Sequence, residues 1–382
     1  MDAMFSNMTL QNDPSLSNGT EIDPGPIQIS WQDYVPPIIF GFIFLVGVAG
    51  NFLVIYVVAL FKKMRTVTTY YLVNLAVTDL AFLLCCVPFT AVNYVTTSYV
   101  FGQAMCKFVN YLMQVTVQAT CLTLALLSLD RYIAILHPML SLTFRRKRVA
   151  IIGSIIIWIA SFIMPLPTAL YYRLVTITWY GESLKICRPV YPSKAWERGY
   201  QIFSILFLYF LPLAVCLFTC SAIVYRLYNR FQSDTNQMDT QRKKRTRRTA
   251  CMVIGVVAVF AVCWLPNHVI NLWAMLTEVK EITNALHWIK VTALILTYTN
   301  SATNPFIYAM ARDDFRTCVK SAFCAAKEKK QPGLAPRSKT PKTTSSSSGR
   351  PLVVPAKLRK SPVLVCVEAQ TVRPHIETET TV

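Results

Sequence analysis

Between Phe108 and Leu129 the chain carries no charged side chain, and the run ends on Asp130-Arg131-Tyr132. A helix rising about 1.5 Å per residue needs roughly 20 such residues to cross a hydrocarbon core of about 30 Å. The stretch therefore reads as a membrane-spanning helix. Cys106 stands before one end, and an acid–base pair stands where lipid gives way to water at the other.

Seven apolar segments of this kind succeed one another, at 34–61, 70–96, 104–136, 149–172, 198–225, 249–276 and 286–310. Each is long enough to span a bilayer, with tilt and kinks. The expected fold is an all-α membrane protein, a seven-transmembrane helix bundle over residues 34–311. Residues 1–33 form an extracellular, glycosylated N-terminus, 312–324 a short amphipathic helix on the membrane surface, and 325–382 a disordered cytoplasmic tail rich in Pro, Lys and Ser.

A net charge of +19 would suit nucleic acid, but its distribution argues otherwise. The basic residues sit between spans and in the tail, without the aromatic alternation that stacks bases. Lys62, Lys63 and Arg65 follow the first span, Arg145–Arg148 the third, and Arg242–Arg248 precede the sixth, whereas the N-terminal segment has no Lys or Arg. The positive-inside rule places the N-terminus outside the plasma membrane and the tail in the cytoplasm. The sequons at Asn7 and Asn18 agree with an outer N-terminus, and the first span would act as an uncleaved signal anchor.

Of twelve cysteines, seven lie inside apolar spans as small packing groups. Cys106 and Cys187 fall in polar-flanked outer segments and are candidates for one oxidised pair. Cys318 and Cys324 follow the last span on a helix that places Phe315, Val319 and Phe323 on one face; they are palmitoylation candidates or simply free thiols.

Asp79 lies within the second span, where an unpartnered acid costs about 2.5–3.5 kcal/mol on insertion scales. It should face the bundle interior, where Asn51, Thr120, Asn300, Ser301 and Asn304 can surround it. Such a cluster reads as a sodium or proton site, or as a hydrogen-bond network that packs helices. Asp130 and Arg131 read either as a surface ion pair or as a switch. Pro212, Pro266 and Pro305 interrupt helical hydrogen bonding inside apolar runs and mark kinks at which helices can pivot.

Gly50-Asn51, Asp79, Cys106, Asp130-Arg131-Tyr132, Trp158, Pro212, Cys263-Trp264-Leu265-Pro266 and Asn304-Pro305-Phe306-Ile307-Tyr308, in this order, resemble the motif set of rhodopsin-like (class A) G-protein-coupled receptors. The resemblance covers residues 34–324. It implies a Cys106–Cys187 bridge, a sodium pocket at Asp79 with sodium as an allosteric ion and no other cofactor, and Trp264 as a ligand sensor. Asp130, Arg131, Tyr132, Pro212, Phe260, Pro266 and Tyr308 would form the activation switch, and Arg131 and Met139 would touch the G protein.

The departures from that family are informative. Met113 stands where an amine receptor needs Asp, and Tyr298 where an opsin needs Lys. Cys220 replaces a usual Tyr and Thr246 an acid that often locks Arg131, which implies appreciable basal signalling. The stretches at 85–91, 106–121 and 192–200 are similar to kisspeptin receptors, and the stretch at 263–273 to galanin receptors, which share a branch with allatostatin-A receptors.

The implied ligand is a short amidated neuropeptide, of kisspeptin type first and galanin or allatostatin type second. Gln114, Gln118, Trp264, Asn267, His268 and Tyr298 would line its pocket, and Glu182, Glu197, Glu278 and Glu281 would greet a basic peptide at the rim. The resemblance also implies Gq-type coupling through phospholipase C, with Gi for the second reading. Thr343, Thr344 and Ser345–Ser348 are kinase and arrestin candidates, and Thr380-Thr381-Val382 fits a PDZ ligand. Enzymatic readings fail on chemistry. Asp79 is the one aspartate well inside a span, where an intramembrane aspartyl protease needs two, and no His-Glu-x-x-His motif is present. Inverted repeats of broken helices, which would mark a transporter, are also missing.

Overall fold

A computed structural model describes residues 31–179, 181–233, 240–277 and 284–330. Seven long helices carry the described fold. They are α1 Val35–Leu60, α2 Val67–Tyr94, α3 Gly102–Leu136, α4 in two pieces (Lys147–Ile163 and Leu166–Tyr171), a three-part α5, α6 Thr240–Thr277 and α7 Asn284–Ala311. Helix α5 runs as Lys194–Ser204, a π-helical Ile205–Phe210, and Leu211–Ser233. A two-turn helix, Pro138–Phe144, follows α3.

The helix starts are written in the local sequence. Prolines occupy the first turn of α1, where a missing N–H costs nothing. The Thr66 hydroxyl accepts from the Thr69 amide at the start of α2, and Ser193 accepts from the Trp196 amide at the start of α5. Among the described residues, six helices are long and apolar enough to span a membrane by composition. The seventh, α7, is diluted by Thr297, Thr299, Asn300, Ser301, Thr303 and Asn304, several of which face the bundle interior.

Helix α3 is the axis of the assembly. Its most apolar window is 61% buried against 22% for α4, and it packs on α2, α4, α5 and α6. Helix α4 turns Ile152, Ile155, Ile156 and Ile159 outward, the surface expected of a helix facing lipid. Helices α1 and α7 approach closely at small residues, as membrane helices do. A Cβ on Gly47 would lie 2.6 Å from the Leu83 Cδ1 and 3.3 Å from the Ala302 Cα, and one on Gly50 would lie 2.9 Å from the Pro305 Cγ.

The bundle carries one addition that helical patterning did not suggest. Tyr172–Trp179 (β1) and Glu182–Pro189 (β2) pair antiparallel, with Thr176 opposite Lys185 and Leu174 opposite Cys187. Ile177, Leu184 and Ile186 give the hairpin a small core of its own, and Gly181 at φ +78° supplies the turn conformation. The signal was the alternation RLVTITW, which lies where the fourth apolar segment ends.

Pro212 sits directly after the π-helical turn, and Pro266 and Pro305 lie within α6 and α7. A fourth proline, Pro88 in α2, joins them. Helix α8, Asp313–Lys330, is a separate unit whose buried stripe is Phe315, Cys318 and Ala322. Phe323, expected on the apolar face, is 62% exposed, because its position falls a turn edge away from that stripe. Cys318 is buried and Cys324 exposed. Asn7, Asn18, Glu278, Glu281, Thr343–Ser348 and Thr380–Val382 lie outside the described residues.

Candidate ligand site and switch

At the hairpin end of the bundle the helices diverge around a cavity of about 680 Å³. Its wall is built from α2, α3, α5, α6, α7 and β2, and it contains Gln114, Trp264, Asn267, His268 and Tyr298. The Cys106–Cys187 disulfide, with Cα atoms 5.6 Å apart, ties β2 to α3. Further bonds pin the hairpin to the same end. Tyr99 N donates to the Lys185 carbonyl at 2.7 Å, and the Gln103 side chain donates to the Tyr172 carbonyl (3.1 Å) and accepts from the Leu174 amide (2.7 Å).

Two expected members do not belong to the wall. Gln118 is 1% exposed and directs its amide to the Met164 sulfur on α4, one helical turn below the cavity residue Gln114. Glu182 stands exposed at the hairpin tip, outside the lining, because the turn at Gly181 carries it away from the mouth. Glu197 does line the cavity. Lys185, Arg188, Lys194, Arg198 and Lys290 line it as well. Tyr191, also at the mouth, has its hydroxyl pKa raised by burial and then by neighbouring Tyr200 and Glu197, so it adds no negative charge.

The floor is aromatic. The rings of Trp264 and Phe260 lie 6.1 Å apart and those of Phe260 and Tyr209 6.0 Å, while the His268 ring lies tilted 4.3 Å from that of Tyr209. Tyr209, which the sequence did not single out, comes from the π-helical turn and donates its hydroxyl to the Ala261 carbonyl of α6 at 2.9 Å. Tyr298 is fully buried between Phe40 and Phe82 and donates its hydroxyl to Thr90 Oγ1 at 2.8 Å. Among the described residues, Trp264 Nε1 and His268 Nε2 are buried without a hydrogen-bond partner, which leaves them for a bound group.

Below the floor lies the Asp79 cluster. Asn304 Nδ2 donates to Asp79 Oδ2 at 2.8 Å, and Asn51 Nδ2 donates to the Ser301 and Gly47 carbonyls. Thr120, Asn300 and Ser301 border a small void of about 10 Å³ beneath Trp264. The side-chain carbonyl oxygens of Asn51, Asn300 and Asn304 have no hydrogen-bond partner among the described residues. One carboxylate with several neutral oxygens suits a hard cation of low charge, so the residues fit sodium. A second network the sequence did not flag braces α2, α3 and α4. Trp158 Nε1 donates to Asn74 Oδ1 at 2.8 Å, and Asn74 Nδ2 donates to Thr123 at 2.7 Å.

At the opposite end of α3, Asp130 is 7% exposed and holds several partners. Arg131 forms an ion pair with its Oδ2, Arg145 Nε donates to its Oδ1 at 2.9 Å, and the Thr68 hydroxyl stands 3.5 Å away. The pair is thus buried rather than superficial, and Arg145 is a partner that sequence reading counted only as a topogenic charge. Tyr132 meets His137 at 3.4 Å, and its ring packs 6.2 Å from Phe218. Tyr308 is buried, and its hydroxyl has no hydrogen-bond partner among the described residues. Met139 is 78% exposed on the Pro138–Phe144 helix.

The family model of the 7 transmembrane receptor (rhodopsin family) matches residues 50–308. The chain is 38% identical to G-protein coupled receptor 54 of Oreochromis niloticus over 296 residues, 76% of this chain and 78% of that one. It is 35% identical to galanin receptor type 1 of Rattus norvegicus over 319 residues, 81% of this chain and 90% of the relative. The KiSS-1 receptor of Mus musculus is 37% identical over 318 residues, 79% and 77% of the two chains.

The chain therefore belongs to the rhodopsin family of seven-transmembrane receptors. It is a multi-pass plasma-membrane protein of a family that signals without catalysing a covalent reaction.

Proposed function

We propose that this chain is a cell-surface neuropeptide receptor with its N-terminus outside and its C-terminus in the cytoplasm. An amidated peptide, of kisspeptin type, enters the hairpin-end cavity and activates a heterotrimeric G protein, through Gq, phospholipase C and calcium. The observation that carries this reading is the open cavity of about 680 Å³ floored by Trp264 and walled by the neutral groups of Gln114, Asn267 and His268. Such a volume takes the end of a peptide, and the unpaired Trp264 and His268 nitrogens favour a neutral hydrogen-bonding terminus.

Ligand pressing on Trp264 moves the stacked Phe260 and the α6 segment around Pro266. Helix α6 then swings outward, Arg131 leaves Asp130, and the opened end accepts the G protein, with Met139 in an apolar pocket of its α subunit. Sodium at Asp79, Thr120, Asn300, Ser301 and Asn304 favours the closed arrangement. Kinases and arrestin act on the tail, with palmitoylation at Cys318 or Cys324 and a PDZ partner at Thr380–Val382.

A galanin- or allatostatin-type peptide acting through Gi is the second reading, favoured by the 35% identity to galanin receptor type 1. Calcium and cyclic AMP are to be recorded in cells challenged with kisspeptin-, galanin- and allatostatin-type amidated peptides, beside an Arg131→Ala variant matched for surface level. A calcium response to kisspeptin-type peptide alone, lost in the variant, is expected. A fall in cyclic AMP to galanin-type peptide without calcium would move the chain to the second reading.

A further inference from the structure

At the end opposite the hairpin, the Pro138–Phe144 helix and the start of α4 form a surface that peptide binding does not use. Arg146, Lys147 and Arg148 follow one another there, all exposed, and α4 has no acidic residue in its first turn. Among the described residues none of the three takes part in an ion pair, whereas the neighbouring Arg145 engages Asp130. The depth of these charges follows from the helix they begin. One face of α4 runs through Arg148, Ile152, Ile155 and Ile159, and the three isoleucines are exposed on the side turned toward lipid. Lys147 is in line with Ile151, which is exposed as well. Cations that end an apolar stripe of this kind sit where hydrocarbon gives way to headgroups. The preceding helix adds an apolar edge, since Leu140 and Phe144, four residues apart and both exposed, share a face that does not include Met139.

We propose that this surface is a docking site for a membrane lipid with an anionic headgroup. The headgroup oxygens lie against Arg146, Lys147 and Arg148, and Leu140 and Phe144 enter the acyl region beside it. Charge selects the class of lipid, and the isoleucine stripe makes the bilayer its source. On the orientation proposed above, the leaflet is the inner one. Occupancy acts on a residue within the site's own span. Arg145 joins the two halves of the surface and donates to Asp130, the ion-pair partner of Arg131. A lipid that fastens both halves holds Arg145 on Asp130 and so damps basal activation. The inference does not depend on which peptide occupies the cavity.

The test uses the full-length receptor in phosphatidylcholine nanodiscs. They carry a minor fraction of phosphatidylserine or of phosphatidylcholine with a photoreactive diazirine on one acyl chain, and labelled segments are mapped by mass spectrometry. Label from the serine lipid at residues 138–152 is expected to exceed that from the choline lipid about fivefold. The excess should vanish in an Arg146→Gln/Lys147→Gln/Arg148→Gln variant and fall by about half in Leu140→Ser/Phe144→Ser. All five side chains are exposed, so both variants should melt as the parent does. Lys62→Gln/Lys63→Gln, which removes two exposed cations of another loop, should keep the full excess. Basal nucleotide exchange on purified G protein should be about twofold lower in discs with unmodified phosphatidylserine than in discs without it. That difference should be lost in the triple variant and in Arg145→Ala.

Equal labelling by the two lipids, or an excess that survives the triple variant, would overturn the site. Removal of the excess by soluble glycerophosphoserine would overturn it in favour of a free anion. Weaker G-protein binding by the triple variant in discs without anionic lipid, with labelling unchanged, would assign the patch to the G protein instead. Labelling as expected with no lipid effect on exchange would keep the docking site and overturn its link to Arg145.

Discussion

The Tyr209 hydroxyl donates to the Ala261 carbonyl across 2.9 Å, joining the π-helical turn of α5 to the segment of α6 that leads into Pro266. A π turn inserts a residue and re-aims the side chains that follow it, which is how Tyr209 comes to reach the neighbouring backbone. Thr246 stands where an acid often restrains Arg131, so this bond is a restraint on α6 located at the other end of the lever.

Tyr209→Phe keeps the ring against His268 and Phe260 and deletes only the bond. A net hydrogen bond is worth about 0.5–1.5 kcal/mol, so basal signalling should rise about two- to tenfold. Inositol phosphate accumulation without peptide, at matched surface expression, measures it; an unchanged basal level would rule the restraint out.

Asp130 is shared between Arg131 and Arg145. Arg145→Ala should raise basal activity modestly, about two- to threefold, because Arg131 keeps its partner. Asp130→Asn should raise it further, because both arginines lose a charge at once. If Arg145→Ala proves the stronger of the two, the ordering derived from these contacts is wrong. The readout is nucleotide exchange on purified G protein.

Sodium replacement by choline should raise agonist affinity several-fold in the wild type and leave Asp79→Asn unmoved. The substitution preserves side-chain volume and Asn304 remains as neighbour, so a loss of sodium response reports the charge. Radioligand competition in the two salts decides it.

Cys187→Ala opens a link between residues 81 positions apart. Losing such a constraint costs about 2–5 kcal/mol, and the hairpin loses its covalent tie to α3. Surface expression should drop severalfold, and the fraction that arrives should bind peptide weakly. Flow cytometry of an N-terminally tagged chain gives the first number and a binding isotherm the second.

Gly50→Val forces a side chain against Pro305, whose Cγ would lie 2.9 Å from the new Cβ. Overpacking of this kind costs about 1–3 kcal/mol. The melting temperature in detergent should fall, whereas Gly41→Ala, with open space around it, should melt as the parent does.

The bundle was legible because its signals are long and redundant: apolar runs with basic loops at alternate ends. The motif residues at Asp79, Asp130, Arg131 and Trp264 announced themselves as polar or bulky groups placed against lipid-length spans. What sequence patterning missed depends on neighbours in space. Gln118 counts among the pocket positions that the family resemblance implies, but its amide is directed to the Met164 sulfur. Arg145 reads as one of several loop cations until the Pro138–Phe144 helix folds it back to Asp130. Tyr209 cannot be picked out without the π turn. Glu182 departs from the expected rim for a related reason, since the hairpin register places Lys185 in the cavity lining and Glu182 at the tip.

The hairpin is attached to the bundle by the Cys106–Cys187 bond, by the Ser98–Tyr99 contacts to Lys185 and by the Gln103 clamp on β1. A segment fastened on both strands cannot fold down over a ligand. The hairpin's share of the entrance is therefore preset, and a ligand entering there would meet β2 already in place.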